Sequence, residues 1–146
     1  MEKELFKNRF VVVSLRKDDG IVICKAISSF IPRNEFQEIF EKIGEYIKTN
    51  LAVNSLIFDK SSLSVFDQNA MTWYHVVWKV EMARYGLRTH RKILPKADFF
   101  KKSVQIGRGR IQKENPDFDF SLYDIQYSES LEQAIADCKA KHETKN

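Results

Sequence analysis

Residues 55–70 read SLIFDKSSLSVFDQNA, from Ser55 to Ala70, and their reading decides the fold. Ser55-Leu56-Ile57-Phe58 is a short apolar run of the kind a buried strand leaves in a sequence, and Asp59 closes it. Within ten residues Asp67-Gln68-Asn69-Ala70 opens a helix, with Asp67 or Asn69 able to cap it. Met71, Tyr74, Val77, Trp78 and Met82 recur on one side of that helix, with Trp73 and Tyr85 widening it, and Gly86 ends it. A buried strand that feeds a helix through a short loop is the repeating unit of an α/β domain.

The same unit recurs on either side. Upstream, 9–15 (RFVVVSL) and 21–27 (IVICKAI) form a predicted hairpin across Lys17-Asp18-Asp19-Gly20. Phe30 to Arg33 lead into a helix with Asn34 as the expected cap and Gln37 at the box position; Phe36, Ile39, Phe40, Ile43 and Ile47 give it an inward stripe. Downstream, 87–94 (LRTHRKIL) reads as a strand of high polarity that Pro95 stops. A helix over about 97–106 is expected to line its inner side with Phe99, Phe100, Ser103, Val104 and Ile106, and to end near Gly107-Arg108-Gly109-Arg110. Leu122 to Tyr127 form a half-covered or edge strand, and Ser130 with Gln133 caps the last helix. The order is β-β-α-β-α-β-α-β-α, an α/β mixed sheet packed with helices. Residues 9–140 form one domain, 1–8 an N-terminal extension and 141–146 a polar tail.

The chain has 146 residues, 43% of them hydrophobic, enough for a sizeable core. It offers neither a signal peptide nor a membrane helix. Cys24 and Cys138 form no paired motif and suit reduced thiols in a cytoplasmic protein. Net charge is +4, yet residues 84–113 hold ten basic residues and a single acid, Asp98, so the remainder is net acidic. That asymmetry suits a small anionic ligand or lipid headgroup, with Arg88, His90, Arg91, Lys101 and Arg108 as candidate contacts; the plainer reading is a solvated basic face. Nucleic acid is disfavoured, because no helix-turn-helix, zinc-finger or RNA-binding consensus is present. His75, His90 and His142 lack metal-ligand spacing, no cofactor fingerprint occurs, and Asp59 with Asp67 reads as a strand end and a helix cap rather than an acid/base pair.

The pattern resembles the SpoIIAA-like branch of the STAS superfamily. The resemblance spans about residues 9–140. It rests on Pro32 and Asn34 before an amphipathic helix, Asp59 after the third strand, and Trp73 and Trp78 in the next helix. It rests also on Gly86-Leu87, on Pro95 before a Phe/Ser-Val helix, and on Tyr127-Ser128-Glu129-Ser130-Leu131-Glu132-Gln133-Ala134. It implies a bacterial regulatory or protein-interaction module without catalysis, acting on an unknown protein partner. A homodimer through a strand edge or aromatic patch is compatible with it. In anti-sigma-factor antagonists a serine at the start of the second helix is phosphorylated. The matching positions here, Gln68 and Asn69, have no hydroxyl, which leaves Ser61, Ser62 and Ser64 in the preceding loop as candidate regulatory sites. Asp67, Asn69 and Trp73 complete the candidate interaction surface.

Overall fold

The computed structural model of the chain describes residues 2–50 and 52–145. A six-stranded sheet runs in sequence order: β1 (Glu2–Lys7), β2 (Val11–Arg16), β3 (Ile21–Ala26), β4 (Ser55–Asp59), β5 (Thr89–Ile93) and β6 (Asp124–Tyr127). The first three strands are antiparallel and the last three continue parallel from β3, as a mixed sheet requires. The hairpin turn closes on Gly20, whose φ is 69° and whose missing Cβ would otherwise sit 2.6 Å from the Ala52 carbonyl.

β1 lies in the stretch set apart as an extension. It pairs with β2 from Glu2 opposite Arg16 to Lys7 opposite Val12, and Leu5 and Phe6 pack against the core. Its charged residues concealed it: Glu2, Lys3, Glu4 and Lys7 are exposed on an edge strand, where charge discourages pairing with other chains. At the other end, α5 (Leu131–Lys145) carries the helix through residues expected to form a polar tail; Asn146 and the His142 side chain lie outside what is described.

One face of the sheet carries α1 (Arg33–Thr49), the pair α2 (Gln68–Trp73) and α3 (Lys79–Ala83), and α4 (Asp98–Glu114). The other carries α5, whose Ala134 and Cys138 pack on Ile21, Ile23, Ile57 and Ile93. The α1 stripe is buried as its spacing predicts, but Asn34 caps nothing: the helix begins at Arg33 behind Pro32, and the Phe36 N–H bonds the Pro32 carbonyl. Capping succeeds at α5, where Ser130 Oγ accepts the Gln133 N–H and the Gln133 side chain accepts the Glu129 N–H.

Two helices depart from their predicted phase. A π turn, Tyr74–Trp78, joins α2 to α3, and its extra residue turns His75 and Lys79 inward while leaving Val77 half exposed. α4 does not stop at Ile106 but runs through both glycines to Glu114. Its inner stripe is Phe100, Gly107 and Ile111, whereas Phe99 and Ile106 stand 71% and 73% exposed. Gly107 sets that phase. A Cβ there would lie 2.7 Å from Gln68 Oε1, so the glycine lets α4 press against α2, and Gln68 Nε2 donates to the Gly107 carbonyl at 3.2 Å.

A candidate basic site beneath the second helix

The helix start that decides the fold is built around Asp67. Its carboxylate accepts the Ala70 N–H at 2.9 Å and Arg33 Nε at 3.2 Å. Burial acts to raise its pKa, but the Ala70 N–H and the Arg33 guanidinium outweigh it and hold the carboxyl below its ordinary range. With its amide turned to satisfy both groups, Asn69 offers its oxygen to Arg33 Nη2 at 2.7 Å. Trp73 is half-buried, edge-on to Phe36. The loop serines tie the chain together: Ser61 donates to Asp59, Ser62 to the Ala26 and Ser28 carbonyls, and Ser64 to the Ser29 carbonyl.

The basic strand is not a solvated face. All five residues of β5 are buried. Arg91 points toward α5, where it is bonded to Asp137, donates to Asp124 Oδ2 at 3.0 Å and donates to the Asp124 carbonyl at 2.8 Å. Burial opposes its charge, yet the two carboxylates keep the guanidinium firmly protonated. Its hydrogen-bonding edges are thus occupied by structure, and Arg88 stands exposed apart from it.

His90 and Lys92, one residue to either side, point to the opposite face. There they meet His75 and Lys79 from the π turn and α3, and Lys60 from the end of β4; all five are almost fully buried. Tyr74 lies at the centre. Lys79 Nζ is 4.6 Å and Lys92 Nζ 5.3 Å from its ring centroid, while Lys60 Nζ stands 4.9 Å from the Phe58 ring and 3.7 Å from Met71 Sδ. Cation–π contacts of this sort offset part of the cost of burying an amine. The polar ends remain unpartnered: Tyr74 Oη, His75 Nδ1, Lys79 Nζ and both ring nitrogens of His90 have no hydrogen bond. Buried polar atoms are normally paired, which makes this group of unpartnered atoms the candidate site.

Among the described residues, the groups acting on these lysines and histidines include no carboxylate. Burial is the main cause of every shift, and neighbouring cations add to it. Lys60 is brought down to about 8, and Lys79, Lys92, His75 and His90 fall well below their ordinary values. By strict geometry Lys79 Nζ is unpartnered, yet Lys79 and Lys92 lie close enough to influence each other. Lys92 favours the charged form of Lys79, and Lys79 disfavours that of Lys92, as when two amines share one proton. An isolated ammonium in such surroundings costs several kcal/mol, which is why burial pushes these amines toward the neutral form.

A cavity of about 20 Å³ opens onto the cluster, among Lys60, Gln68, Met71, His75, Lys92 and Arg108. That is room for about one or two waters, or for a group of carboxylate size. Arg108 stacks on Phe120 at 4.4 Å and donates to Tyr127 Oη at 3.1 Å. Of the sequence candidates, His90 and Arg108 come to this cluster. Lys101 instead borders a separate open cleft of about 580 Å³ between α4 and β6, with Ser61, Lys96 and Tyr127. Lys60, His75, Lys79 and Lys92 were missed as site residues. The one signal was the i, i+4 spacing of His75 and Lys79 on the same side as Met71. Among the described residues no three His, Cys, Asp or Glu side chains converge on a metal position, and no helix is long and apolar enough to cross a membrane.

No protein-family model matches the chain, and no curated protein matches it in sequence. Solved structures do. The anti-sigma factor antagonist SpoIIAA in its unphosphorylated form aligns with a TM-score of 0.60 at 14% identity, over 96% of this chain and 97% of that one. The structure of SLC26A9 aligns with a TM-score of 0.50 at 12% identity, over 86% of this chain but only 21% of that one. Likeness at such low identity is one of architecture: the chain has the STAS-like α/β fold that its sequence pattern resembles.

Proposed function

We propose that this chain is a regulatory binding module on a STAS-like fold, acting through contact with another protein rather than by turnover. Its input is a small oxyanion held by the inner basic cluster. One observation carries the reading: Lys60, Lys79 and Lys92 are buried with His75 and His90 beneath the α2 helix, and among the described residues no carboxylate is one of the groups acting on them. An anion there would reprotonate the amines, satisfy the orphaned donors and turn a costly cavity into an ion-paired core.

The position gives such an anion a way to act outward. Gln68, which lines the cavity, also grips Gly107 of α4, so occupancy would bias how α2 and α4 pack. The exposed Asp67–Arg33–Asn69 group stands at the start of that same helix. An anionic input here would lie under the helix whose start, in the family the sequence resembles, carries a phosphoserine.

Thermal unfolding in formate, a carboxylate small enough for the cavity, against chloride at equal ionic strength tests the reading. Binding raises the melting temperature with concentration, by about 3 °C for each kcal/mol of linkage. The rise is expected to vanish in Lys92→Met. Identical melting in formate and chloride removes the anion input. Capture from native extract at low and raised concentrations of the effective anion tests the partner: a stoichiometric protein whose recovery changes with the anion is expected.

A further inference from the structure

We propose that Lys92 Nζ is a site of reversible carbamylation by dissolved carbon dioxide, so that the anion of the cluster is formed in place. This rests on the reading of the cluster as an anion site and names its chemical source. The geometry selects the chemistry. Lys92 lines the 20 Å³ cavity together with Lys60, His75, Gln68 and Arg108, and Lys79 adjoins it over the Tyr74 ring. Carbamylation adds one carbon and two oxygens, which suits a space of one or two waters. A phosphate group would force the helices apart.

Charge points the same way. An amine meets carbon dioxide only in its neutral form, and Lys92 is pushed toward that form chiefly by burial, with Lys79, Lys60 and Arg108 adding to it. The product sets an anion beside Lys60, Lys79 and Arg108, where it favours their charged forms, and its two oxygens supply acceptors to the unpartnered Lys79 Nζ and Tyr74 Oη. A Schiff base with an aldehyde or ketone would instead leave an iminium cation among cations, and its larger body would not fit. The step balances. The Nζ lone pair forms the N–C bond, one C=O π pair moves to oxygen, and the N–H proton passes to Lys79 Nζ, which is unpartnered and adjoins Lys92 over the Tyr74 ring. Two neutral amines and carbon dioxide become carbamate and ammonium, with no oxidant or further reactant.

Carbon-13 NMR of the full chain in bicarbonate–carbon dioxide buffer at about pH 7.5, an acidity at which the exposed lysines stay mostly protonated, reads the adduct directly. A carbamate resonance absent from Lys92→Met is expected. Alkyl trapping of the carbamate in the unmutated protein, followed by peptide mass spectrometry, is expected to mark Lys92, so the assignment does not depend on a variant folding. In Lys79→Met, which lacks one counter-cation, half-saturation is expected to need about tenfold more carbon dioxide. No carbamate in the unmutated chain, or trapped product on other amines alone, overturns the proposal. If formate still raises the melting temperature in that case, and does so less in Lys92→Met, the carbamate falls while the anion site stands. If neither carbon dioxide nor formate has an effect, both fall.

Discussion

Arg91 and Lys92 are neighbours on one strand and face opposite ways, and the chain treats them oppositely. Arg91 is buried against α5 with two carboxylates and remains charged. Lys92 is buried against α2 and α3 with other cations, and is driven toward neutrality. The outer arrangement is a finished structural clamp, joining β5, β6 and α5 through one guanidinium. The inner arrangement lacks such pairing: among the described residues, Tyr74 Oη, His75 Nδ1, Lys79 Nζ and both His90 ring nitrogens have no hydrogen-bond partner. Buried charge by itself therefore says little about function, whereas buried basic groups without counter-charge or hydrogen bonds point to something that arrives.

The largest effect is expected from breaking the finished side. Asp124→Ala leaves Arg91 buried with one carboxylate and should cost about 3 kcal/mol in urea unfolding, the lower end for a broken buried pair because Asp124 is partly exposed. The inner side should respond in the other sense. Lys92→Met keeps the volume and removes an unmatched amine, and is expected to stabilise the anion-free protein by about 1–2 kcal/mol at pH 7. The same denaturation reports a loss for Asp124→Ala and a gain for Lys92→Met; a loss at both would erase the contrast.

Acidity sharpens it further. Lys60 titrates near 8 in the folded protein against an ordinary 10.5, and Lys79 and Lys92 lie lower than ordinary too. Between the folded and unfolded values the unfolded chain binds more protons, so these groups make stability rise with pH; for Lys60 that window runs from about 8 to 10.5. Each lysine neutral only in the folded state adds at most about 1.4 kcal/mol per pH unit. Cys24 and Tyr74, both raised chiefly by burial, oppose the rise where their unfolded forms ionise, at 9.0 and 10.0. Unfolding from about pH 7 to 8.5 should thus show a positive slope that Lys92→Met and Lys79→Met each reduce. The smallest effect is expected at the helix start: Asp67→Ala removes the cap and should cost about 1 kcal/mol, without changing that slope.

The alternation of strand and helix was legible because hydrophobic patterning follows burial. RFVVVSL, SLIFD and the Phe36–Ile47 stripe could sit nowhere but in a core, and Ser130 with Gln133 marked a helix start by chemistry. β1 was hidden because an edge strand is written in charged residues. The site was hidden for a deeper reason. Pattern reading sends Lys and His to solvent, and the residues of interest are those that disobey. Helical phase compounded this: the π turn moved Val77 out and Lys79 in, and Gly107 rather than Ile106 took the inner position of α4. A rule that assigns burial by side-chain type cannot find a site made of exceptions to it.

The π turn also has a genetic consequence. A wide turn of this kind is an α-helix that has absorbed one surplus residue, each residue being worth about 100° of rotation. Removing a single codon around Val76–Val77, where side chains reach solvent, would let the turn close as α and leave Met71 and Met82 on their present faces. The same deletion a turn earlier or later would swing the intervening residues off theirs. The second helix therefore has one place where its length is open to revision, and that place adjoins the residues, His75 and Lys79, that make the inner cluster unusual.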